Sequence, residues 1–289
     1  MVVHTLGVAR IRNSWELGKI SWSVLRSDRS LAWFPVFSGI GSLVVLGVFG
    51  GLIATTGIDD HRNASGLKAI GYVFVFAAYI ALAFVTAYFQ AGLTAGANER
   101  LDGRDSNVKA SLRAANSRLH RILPWAVAQA TVSIVIRSIQ ERAGWVGQII
   151  ASLLGGAWNI LTFLTIPIIM LEDLGPWAAL KRSGELLKRT WGENIVAQAG
   201  FGLLALVAML PAIALFGIGI ATHITVVAVA FGIVAAVWFA IVIVVISAMS
   251  GIYRTALYRF TVDGKAPAAF AGADFGNAFT TRRTSRGIL

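Results

Sequence analysis

Between Glu193 and Arg254 the chain runs for 60 residues, Asn194 to Tyr253, without one formally charged side chain. A membrane crossing takes roughly 20 apolar residues. The stretch is therefore too long for one span and fits two joined by a bend. Leu203 to Phe216 and Val226 to Met249 are nearly continuous hydrocarbon, while Gly217, Gly219, Thr222, His223 and Thr225 supply the small and polar character that a turn needs. A transmembrane hairpin is expected, with spans at 194–216 and 226–253.

The remainder agrees with that class. Hydrophobic residues make up 56% of the 289 and charged residues 13%, with a mean hydropathy of +0.72, where a soluble domain carries about a quarter charged residues. Backbone immersed in hydrocarbon must satisfy its own hydrogen bonds, so an all-α, polytopic transmembrane helix bundle is expected. The absence of cysteine excludes a disulfide framework, a thiolate zinc site, an iron–sulfur cluster and a cysteine nucleophile. A net charge of +11 suits loops that face anionic lipid, and no nucleic-acid partner is expected.

Taken in order, the chain reads as one transmembrane domain over 1–265 followed by a basic tail, 266–289. Residues 8–29 place Val8, Ile11, Trp15, Gly18, Trp22 and Leu25 at spacings of three and four, with Arg12, Glu16 and Lys19 elsewhere, the pattern of an amphipathic helix. Spans follow at 31–57, opening near Pro35 and carrying a Gly47/Gly51 pair, and at 69–97, ending with Gln90, Thr94 and a Gly92/Gly96 pair. A second amphipathic helix covers 106–121 through Val108, Leu112, Ala115 and Leu119. Spans at 122–140 and 145–171 come next, the first ending with Arg137 snorkelling to an interface. A third amphipathic helix, 176–191, has Trp177, Leu180, Gly184, Leu187 and Trp191 as its stripe and Pro176 at its first turn. No cleavable leader is apparent ahead of Leu31.

Alternating spans put the N-terminal segment, the connections at 98–121 and 172–193, and the tail on one side. Those segments, with the last counted from Arg254 onward, hold 21 of the 25 lysines and arginines. By the positive-inside rule both termini are expected to be cytoplasmic, in a cytoplasmic membrane. Six of the nine tryptophans (Trp15, Trp22, Trp33, Trp125, Trp177 and Trp191) fall at that interface.

The order of basic amphipathic helix, span out and span back recurs three times, with echoes at VAQA 127–130 and 196–199 and at Asp102-Gly103-Arg104 and Asp263-Gly264-Lys265. Three parallel copies would be related by an axis along the membrane normal. The set Ser14-Trp15, Trp22, Leu25 and Phe34-Pro35, then Pro167, Glu172, Gly175-Pro176, Ser183 and Trp191-Gly192, and finally Tyr253-Arg254, Leu257-Tyr258 and Asp263-Gly264 resembles a family of uncharacterised bacterial, largely actinobacterial, six-span integral membrane proteins. That resemblance implies a location and a fold, and brings no catalytic residues.

Chemistry is sparse. His4, His61, His120 and His223 fall in four separate segments and none has a ligand at helical spacing, so no metal or other cofactor is expected. No phosphate loop appears, and no catalytic motif, so an enzyme is not expected. Candidate polar or headgroup residues are the adjacent carboxylates Glu172 and Asp173, and the span residues Asn159, Gln129 and Gln198. An acidic pair ahead of a helix also complements its dipole, and amides within spans commonly bond across to another helix. No charge is expected deep in a span, which argues against ion-driven machinery. The sequence favours a non-enzymatic accessory, scaffold or envelope-associated membrane component, with partners among anionic lipids, a membrane protein or its own copies. The alternative is a carrier or lipid-handling protein with an apolar cavity between hairpins.

Overall fold

The computed structural model describes residues 18–56, 65–142, 144–189, 191–264 and 267. The expected helical residues 8–17, the polar loop around Asp59 to Arg62, and the tail 266–289 apart from residue 267 lie outside the described residues. Within them the chain is an all-α bundle. Six helical stretches are long and apolar enough to cross a membrane: Arg29–Thr55, Ala69–Leu101, Leu119–Glu141, Gly144–Leu171, Leu204–Ala221 and Thr225–Asp263.

Helix α1 occupies 18–27 and passes through a short 3-10 turn, Arg29–Ala32, into α2, Trp33–Thr56. Helix α3, Ser65–Leu101, stands at the centre and packs on α2, α5, α7 and α10, with α4, Val108–Ser117, against its end. The second hairpin is α5, Leu119–Arg142, followed by α6, Gly144–Leu161, and α7, Thr165–Glu172. Helix α8, Pro176–Arg189, connects to the third hairpin, α9, Trp191–Ala221, and α10, Thr225–Asp263. The turn of that hairpin is tighter than the sequence suggests. It takes only Thr222 to Ile224, with His223 at φ 53°, and leaves Gly217 and Gly219 inside α9.

The centre of α3 is built from small residues because its neighbours come close. A Cβ on Gly92 would stand 2.7 Å from the Phe34 ring, and one on Gly96 would stand 2.9 Å from Leu31. On α10, a Cβ on Gly251 would run into the Leu93 side chain. Gly47 and Gly51 are different: nothing lies within 4 Å of either position. That pair makes no helix contact here.

Burial is uneven along the bundle. Leu31, Phe34, Ile122, Leu164, Ile168, Ile169, Leu187, Ile252, Tyr253 and Leu257 form a closed core at the basic end. Toward the opposite end Leu43, Trp145 and Val226 are 70–78% exposed, a surface that a water-soluble monomer would not carry and that hydrocarbon would cover. In α8 the inward residues are Ala179, Ser183, Leu186 and Leu187, while Trp177 is 72% exposed. The inward face thus keeps Leu187 and the half-buried Leu180 of the expected stripe but leaves Trp177 outside it, and the small Ala179 and Ser183 let α8 approach α6, where Ser183 Oγ donates to the Leu161 carbonyl at 2.6 Å.

Polar contacts stitch the connections of the basic end together. Asp28 accepts from the Ser30 amide at 3.0 Å and from the Ser106 amide at 3.1 Å, and also from the Ser106 hydroxyl. Burial works against the charge of this carboxylate, but the hydroxyl and amide donors of Ser106 and Ser30 outweigh it and hold Asp28 below its ordinary pKa. Asn107 caps α4 through the Lys109 amide at 2.9 Å. Arg259 pairs with Asp102, which joins the end of α10 to the turn after α3.

Candidate functional site

The structure separates the five candidate residues into different settings. Glu172 closes α7 and is saturated: Arg182 Nε donates to both its oxygens at 3.3 Å, and the Tyr258 hydroxyl donates to Oε1 at 3.0 Å. Asp173 takes the left-handed conformation at φ 55°, which a short polar side chain tolerates better than most. Its Oδ2 pairs with Arg118 at 2.7 Å, and Oδ1 lies 3.7 Å from Arg121. The two carboxylates therefore tie α7 to α8, to α10, and to the junction of α4 and α5. Both are structural clamps with their cations already in place.

Gln129 and Asn159 do come together, across the second hairpin. They share a cavity of about 390 Å³ with Gln90, Thr162 and Arg254. Trp125 and Trp158 stack at 6.1 Å between centroids, and Trp158 Nε1 donates to Gln129 Oε1 at 3.2 Å, which holds the carboxamide at the cavity edge. The walls here are mainly polar, unlike the apolar cavity that the sequence suggests for these residues. Gln198 sits on α9, and its side chain is not among those described.

The cavity exists because the second return span is broken. The helical pattern lapses over Thr162 to Leu164, where the Phe163 amide bonds back only three residues, to Ile160, at 3.1 Å. Pro167 supplies the reason. Four residues ahead of it stands the Phe163 carbonyl, which a continuous helix would pair with the amide that proline lacks and which its ring would crowd. The span expected to run unbroken over 145–171 is therefore two helices. Broken backbone at membrane depth is tolerated where it lines a cavity or lies within protein.

Arg254 occupies the middle of this arrangement. Helix α10 does not end at the charge but continues to Asp263, because Met249, Ile252, Tyr253, Ala256 and Leu257 keep a helical stripe packed in the core. This carries Arg254 inside the bundle. Its guanidinium carbon lies 4.8 Å from the Phe163 ring centroid, a cation–π contact with the broken segment. Its Nε is buried without a hydrogen-bond acceptor, and no carboxylate among the described residues forms an ion pair with it.

Arg254 also lines a second cavity of about 390 Å³ between α2, α3 and α10. Its walls are mostly hydrocarbon, from Phe34, Phe89, Leu93, Ile243 and Ile246, with Ser38, Ser247 and Ser250 among them. The two cavities meet at Gln90, Ile166 and Arg254. Among the described residues no histidine, aspartate or glutamate lines either one. Their side chains are suited to holding a ligand, through one cation, three carboxamides and hydroxyls. A third cavity of about 470 Å³ adjoins at Gln129 and Asn159 and reaches the paired Arg137 and Glu141. Among the described residues no group of three or more His, Cys, Asp or Glu could hold a metal ion.

Sequence reasoning placed Arg254 at the edge of a span and gave Gln90 no role. The stripe from Met249 to Leu257 was the signal that α10 continues, and Pro167 was the signal for the break. The chain belongs to a family of unknown function, DUF6159, whose model matches residues 69–268. That range takes in both cavities except for the α2 wall. No curated protein matches the chain.

Proposed function

We propose that this member of a family of unknown function is a multi-pass protein of the bacterial cytoplasmic membrane that holds an amphiphilic, lipid-like molecule between its hairpins, as a carrier or lipid-handling component and not as an enzyme. One observation carries this reading: a polar cavity and a hydrocarbon cavity of similar size meet at Gln90, Ile166 and Arg254. Pockets that bind small molecules pair apolar walls with a few placed polar groups. The polar group of an amphiphile would lie among Gln129, Asn159 and Arg254, and its chain would follow Phe89 and Leu93 toward the outer faces of α2 and α10.

The basic segments support an orientation with that end, and both termini, in the cytoplasm. Fusions of a compartment-sensitive reporter at Gly144 and Thr222 should both read outside, and a cytoplasmic signal at either would overturn the topology. For the ligand, purification in a mild nonionic detergent followed by mass spectrometry should find a co-purifying lipid that Ser250→Phe, placed in the hydrocarbon cavity, displaces. Recovery of wild type free of any lipid would sink the reading.

An accessory or scaffold role is favoured by a separate observation, the exposure of Trp22, Trp33 and Trp177 on or beside helices that carry basic residues. Such helices at one leaflet would seat the protein on anionic lipid or on a membrane partner. A protein that co-purifies in fixed stoichiometry, with no lipid, would favour it.

A further inference from the structure

The geometry points to an anionic group, a phosphate or a carboxylate, as what Arg254 holds. This rests on the amphiphile reading for the rest of the molecule, and makes the polar end of that molecule an anionic headgroup. At the same end of the bundle Glu172 has Arg182, Asp173 has Arg118, and Asp102 has Arg259. One turn inward from Tyr258, Arg254 has only the Phe163 ring and an Nε with no acceptor.

A cation within a bundle is costly unless something negative or strongly accepting meets it. Here the space for such a group is present, since Arg254 faces both cavities. The guanidinium is planar and forked, a shape that matches two oxygens of one phosphate or carboxylate. The carboxamides of Gln90, Gln129 and Asn159 would donate to the oxygens that the arginine leaves free. Among the described residues no acidic side chain lines either cavity to repel the anion.

Two sources offer this chemistry, the headgroup of a lipid and a free anion, and one experiment separates them. Detergent-purified wild type, Arg254→Gln and Arg254→Lys would each be offered phosphatidylglycerol, phosphatidylcholine or inorganic phosphate. Bound lipid would be counted by native mass spectrometry and phosphate read as a shift in Tm. We expect wild type to retain phosphatidylglycerol about tenfold over phosphatidylcholine, Arg254→Gln to lose that preference, and Arg254→Lys to keep part of it. Lys109→Gln, an exposed charge elsewhere on the basic end, should change nothing.

Equal retention of both lipids by wild type, or a preference that survives Arg254→Gln, would overturn the anionic headgroup while leaving an amphiphile site. A phosphate-induced Tm shift that needs Arg254, with neither lipid retained, would keep the anion site and overturn the lipid. No binding of any probe would overturn both. If Arg254→Gln cannot be purified folded, Gln90→Leu gives the same reading: it should lower the preference several-fold, and an unchanged preference would overturn the inference.

Discussion

Two arginine environments lie one helical turn apart along α10. Around Tyr258, Glu172 receives three donated hydrogen bonds and its ion pair with Arg182 is made within the chain. Around Arg254 the described residues supply an aromatic face, carboxamides at a distance and open volume, and no counter-charge. The first arrangement is complete without a ligand and its consequence is stability. The second has no such completion among the described residues, and on the reading proposed above a bound anion supplies it. A carboxylate at a helix junction is thus no guide to a site, while an arginine that lacks one is.

The comparison can be broken or sharpened by substitution, with thermal unfolding in a fixed detergent as the measurement. The largest effect is expected from Gly251→Ala, which forces a methyl against Leu93 and pushes α10 from α3, destabilising by about 1–3 kcal/mol through overpacking. It should also reduce lipid retention, since Gly251 and Leu93 both line the hydrocarbon cavity. An unchanged Tm would mean that α3 and α10 do not approach so closely. Next, Glu172→Ala leaves the Tyr258 hydroxyl and Arg182 without their acceptor and should cost about 1–2 kcal/mol, the range for an interaction that is partly screened by solvent.

Arg254→Gln in lipid-free protein should behave oppositely and leave Tm unchanged or raised, because it removes a cation that nothing pairs. A loss as large as that of Glu172→Ala would erase the distinction between the two environments. Asp28 gives a smaller, pH-dependent effect. Its folded pKa is depressed, so its contribution is fully present above the unfolded carboxylate value of about 4 and is lost as pH falls through the lower folded value. Asp28→Asn should therefore flatten the decline of Tm with acid below about pH 4, and an unaltered slope would remove Asp28 as its source. The smallest effect is expected from Gly47→Ala, within about 0.5 kcal/mol, since its surroundings are empty. A large loss there would reveal a partner helix on that face.

How far the sequence discloses this molecule follows from the kind of signal each feature leaves. Spans are long-range compositional objects, so the uncharged run from Asn194 to Tyr253 and the apolar stretches before it are visible without a structure. Glycine at Gly92 is visible as a candidate contact, but Gly47 looks the same in sequence and meets nothing, because the partner of a small residue is set by tertiary packing. The site was legible only in part. Gln129 and Asn159 stand out as amides within apolar runs, yet their shared cavity depends on the break at Thr162 to Leu164, a backbone event whose trace is one proline three to five residues downstream. Arg254 was obscured by the very contrast that marks the hairpin. A charge that ends an uncharged run is naturally taken for the membrane boundary, and the periodic stripe that carries α10 past it is a weaker pattern than the change in composition.

Helix α10 is also the final apolar helix in chain order. Ribosomes release spans one after another, so Gln90, Gln129 and Asn159 enter the bilayer before the arginine that completes their enclosure has been translated. During that interval the amides face one another or water, and the cavity has neither its floor nor its charge. Assembly of the site and completion of the bundle are then a single biosynthetic event. A nascent chain halted before Thr225 would carry the three carboxamides without the arginine they surround.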